Sequence, residues 1–224
     1  MSKLYSVQIA DDQYADIRFE VRPGDRYVGD KDNLKERSEL AASEKVSVGE
    51  VWGIYDELLI PKGQTPNSPK SFNTLIQVHS GHQMNSAPPF FVLLDYDDLT
   101  LYPFLKFLTV QRTTFDGPAK LTEVARINIL YGKRIHLLVR GMCSGIENGG
   151  ALTIYVNGKT IFKGDKVPMG YLKKQPEPDY AKFGIYRGAN GGPPLIHPLV
   201  VYHRNFRFGR WSTVQAYMRQ KPWR

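Results

Sequence analysis

At 224 residues the chain is long enough to bury a sizeable core, and no apolar run approaches the roughly 18 residues that a membrane helix needs. Thirty Lys and Arg against 22 Asp and Glu give a net charge of +8, which favours acidic partners. The basic residues are spread along the chain, apart from the terminal "MRQKPWR", so the arm or stripe of a DNA binder is missing. A single cysteine, Cys143, excludes an internal disulfide and speaks against a cysteine zinc site.

In chain order, the opening "MSKLYSVQIADDQ" has no apolar h-region, so no signal peptide is expected there. Secreted, periplasmic and virus-particle locations all remain compatible with that. Residues 14–22, "YADIRFEVR", alternate Ile17, Phe19 and Val21 with polar neighbours and run into a "PGD" turn, the pattern of a half-buried strand. Residues 32–45, "DNLKERSELAASEK", have helix-forming composition and a cap candidate, and propensity alone predicts a short helix. Further strands are predicted at 47–60, 73–80, 88–96, 134–141 and 199–209. Residues 151–164 read as a hairpin about an Asn157-Gly158 turn, a register that sets Ile154 opposite Ile161. Many short strands with Gly and Pro turns predict an all-β fold. The expected architecture is a two-sheet β-sandwich or jelly roll, concanavalin-like, formed by residues 1–224 as one domain.

Three stretches carry candidate chemistry. In "QVH", Gln77 and His79 share a strand face; an amide binds a carboxylate without adding charge, and an imidazole moves a proton near neutral pH. An ordinary solvated strand face explains the same pattern. In "ERSEL", a strand would set Arg37 beside Glu39, a guanidinium clamp for a carboxylate with an acid to orient it. A surface ion pair on a helix is the plain alternative. In "YAKFGIY", residues 180–186, one strand face carries Ala181, Phe183 and Ile185. The other carries Tyr180, Lys182, Gly184 and Tyr186, with the glycine as a place for a ligand to approach the backbone. His82, His136, His197 and His203 lack metal-ligand spacing, and "DYDDL", residues 95–99, lacks that of a calcium loop. No P-loop, G-x-S-x-G or H-E-x-x-H is present.

Taken in order, "FEVRPGD", "ERSEL", "VWGIYDELLIP", "QVHSG" with "PPF", "IYVNGK" and "YAKFGIYRG" resemble the heparin lyase I-like group of jelly-roll polysaccharide lyases and, more distantly, the alginate lyases. The resemblance runs from about Phe19 to Arg187, with "YHRNFRFG" similar to the family's last strand. It departs from the alginate lyase pattern at Ala41, where a second arginine is usual, and at Ala181 and Phe183. The resemblance implies a strand, not a helix, over residues 36–41, and a concave substrate groove. It also implies β-elimination on a uronate-containing polysaccharide. Gln77 and Arg37 would hold the substrate carboxylate. His79 would be the base, alone or shared with Tyr186, and Tyr186 the acid. Lys182 would lower the phenol's pKa, Glu39 would orient Arg37, and Tyr180, Arg187 and Lys173 would line subsites. An acidic polysaccharide is the implied partner, with neither nucleic acid nor membrane. The oligomeric state is left open with a monomer favoured, and no cofactor or catalytic metal is required, leaving room for a structural calcium.

Two rivals use the same fold. A glycoside hydrolase needs two carboxylates about 5–5.5 Å apart on one face, and no E-x-D-x-x-E or E-x-D-x-E spacing occurs in these strands. A non-catalytic module for acidic glycans would use the aromatic and basic groups with no need of the Gln, His and Tyr set.

Overall fold

The computed structural model describes residues 7–11, 16–25, 35–65, 71–80, 88–97, 102–113, 118–172, 178–189 and 194–220. Its strands are β1 (Val7–Asp11), β2 (Asp16–Val21), β3 (Lys35–Ala41), β4 (Trp52–Leu59), β5 (Phe72–Ser80), β6 (Phe90–Tyr96) and β7 (Pro103–Arg112). They continue with β8 (Ala119–Asn128), β9 (Arg134–Met142), β10 (Gly150–Val156), β11 (Lys159–Val167), β12 (Gly170–Tyr171), β13 (Asp179–Gly188) and β14 (Leu199–Arg210), and α1 (Trp211–Gln220) follows. One sheet runs β1-β2-β14-β4-β9-β10-β11. The other runs β12-β7-β6-β5-β13-β3, with β8 beside β7. Consecutive strands cross repeatedly between the sheets, the wiring of a jelly roll.

The alternating side chains of both sheets meet in a shared apolar layer. Phe19, Trp52, Ile54, Ile76, Phe90, Phe107, Ile154 and Ile185 are all fully buried there. Trp52 packs between Phe90 and Phe208, with ring centroids 5.7 and 6.3 Å away. Gly141 leaves it room, because a Cβ there would lie 2.2 Å from the indole. Polar pairs are buried here too, among them His203 and Asp56: His203 Nδ1 lies 2.8 Å from an Asp56 carboxylate oxygen, and burial raises that carboxyl's pKa.

Two expectations need correction. Residues 35–41 form a strand, so the helix-forming composition of this stretch loses to cross-strand pairing with β13. In the 151–164 hairpin the Asn157-Gly158 turn is present, with Asn157 at φ +49° and Gly158 at +78°. A bulge beyond it shifts the register, so Ile154 faces Phe162 rather than Ile161. Directly after β14, the last strand, α1 lays Val214 and Met218 on Tyr55 and Leu138 of the sheet's outer side. Gly53 makes this docking possible, since a Cβ there would stand 2.9 Å from the Val214 Cβ. The Trp211, Val214, Met218 spacing was the signal for this helix. Among the described residues no helix is long and apolar enough to cross a membrane.

Candidate active site

β5, β13 and β3 lie side by side, so the three candidate stretches share one sheet. Their register sets Tyr180 opposite His79 and Lys182 opposite Gln77 on one side of β13. On the other side, Gly184 faces Glu39 and Tyr186 faces Arg37. Ala181, Phe183 and Ile185 point into the core, as alternation requires, while Tyr180, Lys182 and Tyr186 stay partly exposed on the opposite face.

The centre of the site is a chain of polar contacts across three strands. The Gln77 side-chain amide donates a short hydrogen bond to a Glu39 carboxylate oxygen. The other Glu39 oxygen lies 3.8 Å from an Arg37 guanidinium nitrogen. Glu39 thereby orients Gln77 as well as Arg37. Arg37 in turn spreads over the Tyr186 ring, 4.7 Å from its centroid. Phe72 meets that ring edge-on at 5.3 Å. At the other end, His79 stacks on Tyr180, centroids 5.5 Å apart and planes 21° from parallel.

Burial, and then the charges of Lys182 and Arg37, push the His79 pKa down to about 3. The imidazole is therefore neutral through the neutral range and holds a lone pair for a proton. Unfolded, the group returns to its ordinary 6.5. Neutral His79 thus contributes stability that is complete above pH 6.5 and is lost as pH falls through the window down to about 3. Thermal unfolding followed from pH 7 to pH 4 should show this slope, and His79→Gln should flatten it. An unchanged slope in the variant would refute the assignment.

Three cations, Lys35, Arg37 and Lys182, share this face with one carboxylate, Glu39, in the central set. Such a surface suits an anionic chain. No protein-family model matches the sequence, and no curated protein matches it either. Solved structures do match in shape. An endo-β-1,4-glucuronan lyase from the fungus Trichoderma reesei superposes with a TM-score of 0.65 at 10% identity, over 94% of this chain and 92% of that one. The fold is that of the jelly-roll polysaccharide lyases. An alginate lyase from Pseudomonas aeruginosa gives 0.58 at 17% identity, covering 93% and 87%. A family 7 alginate lyase gives 0.63 at 15%, covering 94% and 82%.

Within this jelly-roll fold, several expected site residues take other places. Lys182 reaches toward Tyr180, with Nζ 6.0 Å from that ring, and its charge acts on His79. It stands four residues from Tyr186, about 13 Å along a strand. The cations seen over Tyr186 are Arg37 and Lys35, the latter with Nζ 5.8 Å from the centroid. Arg187 is fully buried and lines no subsite; it bonds Glu36 at 2.6 Å on the core side. Its odd position in the strand, shared with Ala181, Phe183 and Ile185, was the available signal. Gly184 offers no approach to a ligand. At φ +127° a Cβ there would meet the Ser38 carbonyl oxygen at 2.3 Å and the Phe19 ring at 2.7 Å. Lys173 and His82 lie outside the described residues. Asp95 pairs with Lys106 at 2.7 Å. Sequence reasoning passed over Lys35, which shares the face of Arg37 and Glu39 once β3 is drawn as a strand. It also passed over Phe72, which alternation from Gln77 and His79 puts on the other face until the register shift between Thr74 and Ile76 turns it to Tyr186.

Proposed function

We propose that the protein is a polysaccharide lyase that cleaves a uronate-containing polysaccharide by β-elimination. The observation that carries this reading is the Gln77–Glu39–Arg37 chain, set between a neutral imidazole at His79 and the phenol of Tyr186 on one sheet face. The shared fold supports it, since the glucuronan and alginate lyases act on uronate polymers.

The chemistry needs little else. Gln77 and Arg37 bind the sugar carboxylate and draw electron density from it, which makes the adjacent C5 proton acidic. His79, alone or with Tyr186, accepts that proton. The C5–H electron pair becomes the C4=C5 double bond, the C4–O bond breaks, and Tyr186 protonates the departing glycosidic oxygen. Donors fixed around the carboxylate stabilise the charge that grows there in the transition state without reorganising. His79 is a weak base before substrate arrives, and the incoming carboxylate raises its proton affinity by adding negative charge beside it. Tyr180 and Lys182 lie beside His79 and extend the binding face along β13.

The test is ultraviolet absorbance during incubation with glucuronan, alginate, heparin and other uronate polymers. Elimination leaves a conjugated double bond that absorbs, and hydrolysis leaves none. We expect a rise on at least one polymer and a loss of about 10²–10⁴-fold in His79→Ala. Binding of an acidic polymer with a flat trace would instead make the protein a carbohydrate-binding module.

A further inference from the structure

β3 supplies Arg37, Glu39 and Lys35, yet its own sequence does little to fix its register. Among the described strands it pairs with β13 alone, and on its outer edge the Arg37 N–H donates to the Asp25 carbonyl oxygen at 3.2 Å. Strand register is normally set by an apolar face, which a one-residue slip would turn outward. "KERSELA" has no such face. Its core-side positions are Glu36 and Ser38, both buried, and Leu40, which is 39% exposed. On the far side of β13, β5 differs, because Ile76 and Val78 anchor it in the apolar layer.

Within the β3 side chains, a buried ion pair distinguishes the observed register. Arg187, directly opposite Glu36, donates from Nε at 2.8 Å to one Glu36 oxygen, and a second guanidinium nitrogen stands 2.6 Å from the same oxygen as an ion pair. The other Glu36 oxygen accepts the Gly24 backbone N–H at 2.6 Å, and Arg187 also donates to the His197 carbonyl at 2.7 Å. Both side chains are buried, so a slipped strand would leave two charges in the core without each other. The next pair along the ladder is Tyr186 opposite Arg37, facing the other way.

We propose that Arg187 and Glu36 are positioning residues: their buried ion pair keys β3 to β13 and so places Arg37 and Glu39 over the site. As a role in catalysis this rests on the lyase reading; as a statement about register it stands without it. Replacing a buried ion pair with apolar groups often costs little stability, so the two roles separate. The Gly24 and His197 groups left behind lie in exposed and half-buried turns that water reaches.

The experiment compares the native chain with the double variant Glu36→Leu/Arg187→Met, using tyrosine ring 13C labels. The Tyr186 signal is identified by its disappearance in Tyr186→Phe. The double variant should stay folded, with the Tyr186 signal split or broadened as Arg37 leaves its ring. Turnover on the best polymer should fall about 10²-fold, the effect of a misplacement near 1 Å. A single signal at the native position overturns the proposal whatever the turnover, and the signal decides even if the native protein cleaves nothing. Should the double variant fail to fold, Glu36→Gln gives a second reading. Its amide exchange over residues 36–41 should quicken at least about tenfold relative to residues 76–78. Unchanged exchange would overturn the idea equally.

Discussion

Tyr186→Phe should leave a folded protein that binds its polymer and scarcely cleaves it. The substitution keeps the ring, so the Arg37 and Lys35 cations above it and the Phe72 edge against it persist. What disappears is the hydroxyl, the group assigned to protonate the leaving oxygen. A positioned proton donor typically contributes about 10²–10⁴-fold, and the loss should fall on kcat with KM nearly unchanged. Steady-state absorbance kinetics on the preferred polymer, with binding checked by calorimetry, would measure both. Retention of a tenth or more of native kcat would remove Tyr186 from the chemistry and shift both proton transfers to His79.

Gly184→Ala should be the most damaging one-carbon change in the sheet. The residue sits at φ +127°, where side chains are rarely tolerated, and the added carbon would meet the Ser38 backbone oxygen at 2.3 Å. Strain in such regions costs about 1–3 kcal/mol, and the collision with backbone and with Phe19 adds to it. We expect about 3 kcal/mol or more lost in denaturant unfolding. Function should suffer too. Glu39 faces Gly184 across the strand and reaches over this bare position to Gln77, so displacement of β13 there pulls the carboxylate-binding pair apart. A native unfolding midpoint would mean that the strand relaxes locally and that the glycine is dispensable.

Much of the site was legible because strands alternate with period two. Once "QVH" and "YAKFGIY" are strands, Gln77 falls on the face of His79, and Tyr180 on that of Lys182 and Tyr186. The same rule, applied strictly, separates Arg187 from that set, and the structure does separate it. β3 was not legible from composition: "ERSEL" is good helix material, and what holds it extended is the ladder to β13, a partner some 150 residues away. Its family resemblance corrected the reading where propensity could not. The cations over Tyr186 were not legible for a related reason: Arg37 and Lys35 come to its ring from β3, a strand some 150 residues away in sequence.

By itself, the sequence determined the fold class, the strand faces and the kinds of groups offered to a substrate, since these follow from local alternation, turn residues and composition. Tertiary structure alone decided which groups meet. Glu39 bonds Gln77 across an intervening strand, Arg187 turns inward to Glu36, and burial beside Lys182 and Arg37 keeps His79 uncharged. Each of these depends on how β3, β5 and β13 are brought together and in what register, and no local pattern in any one strand encodes its neighbour.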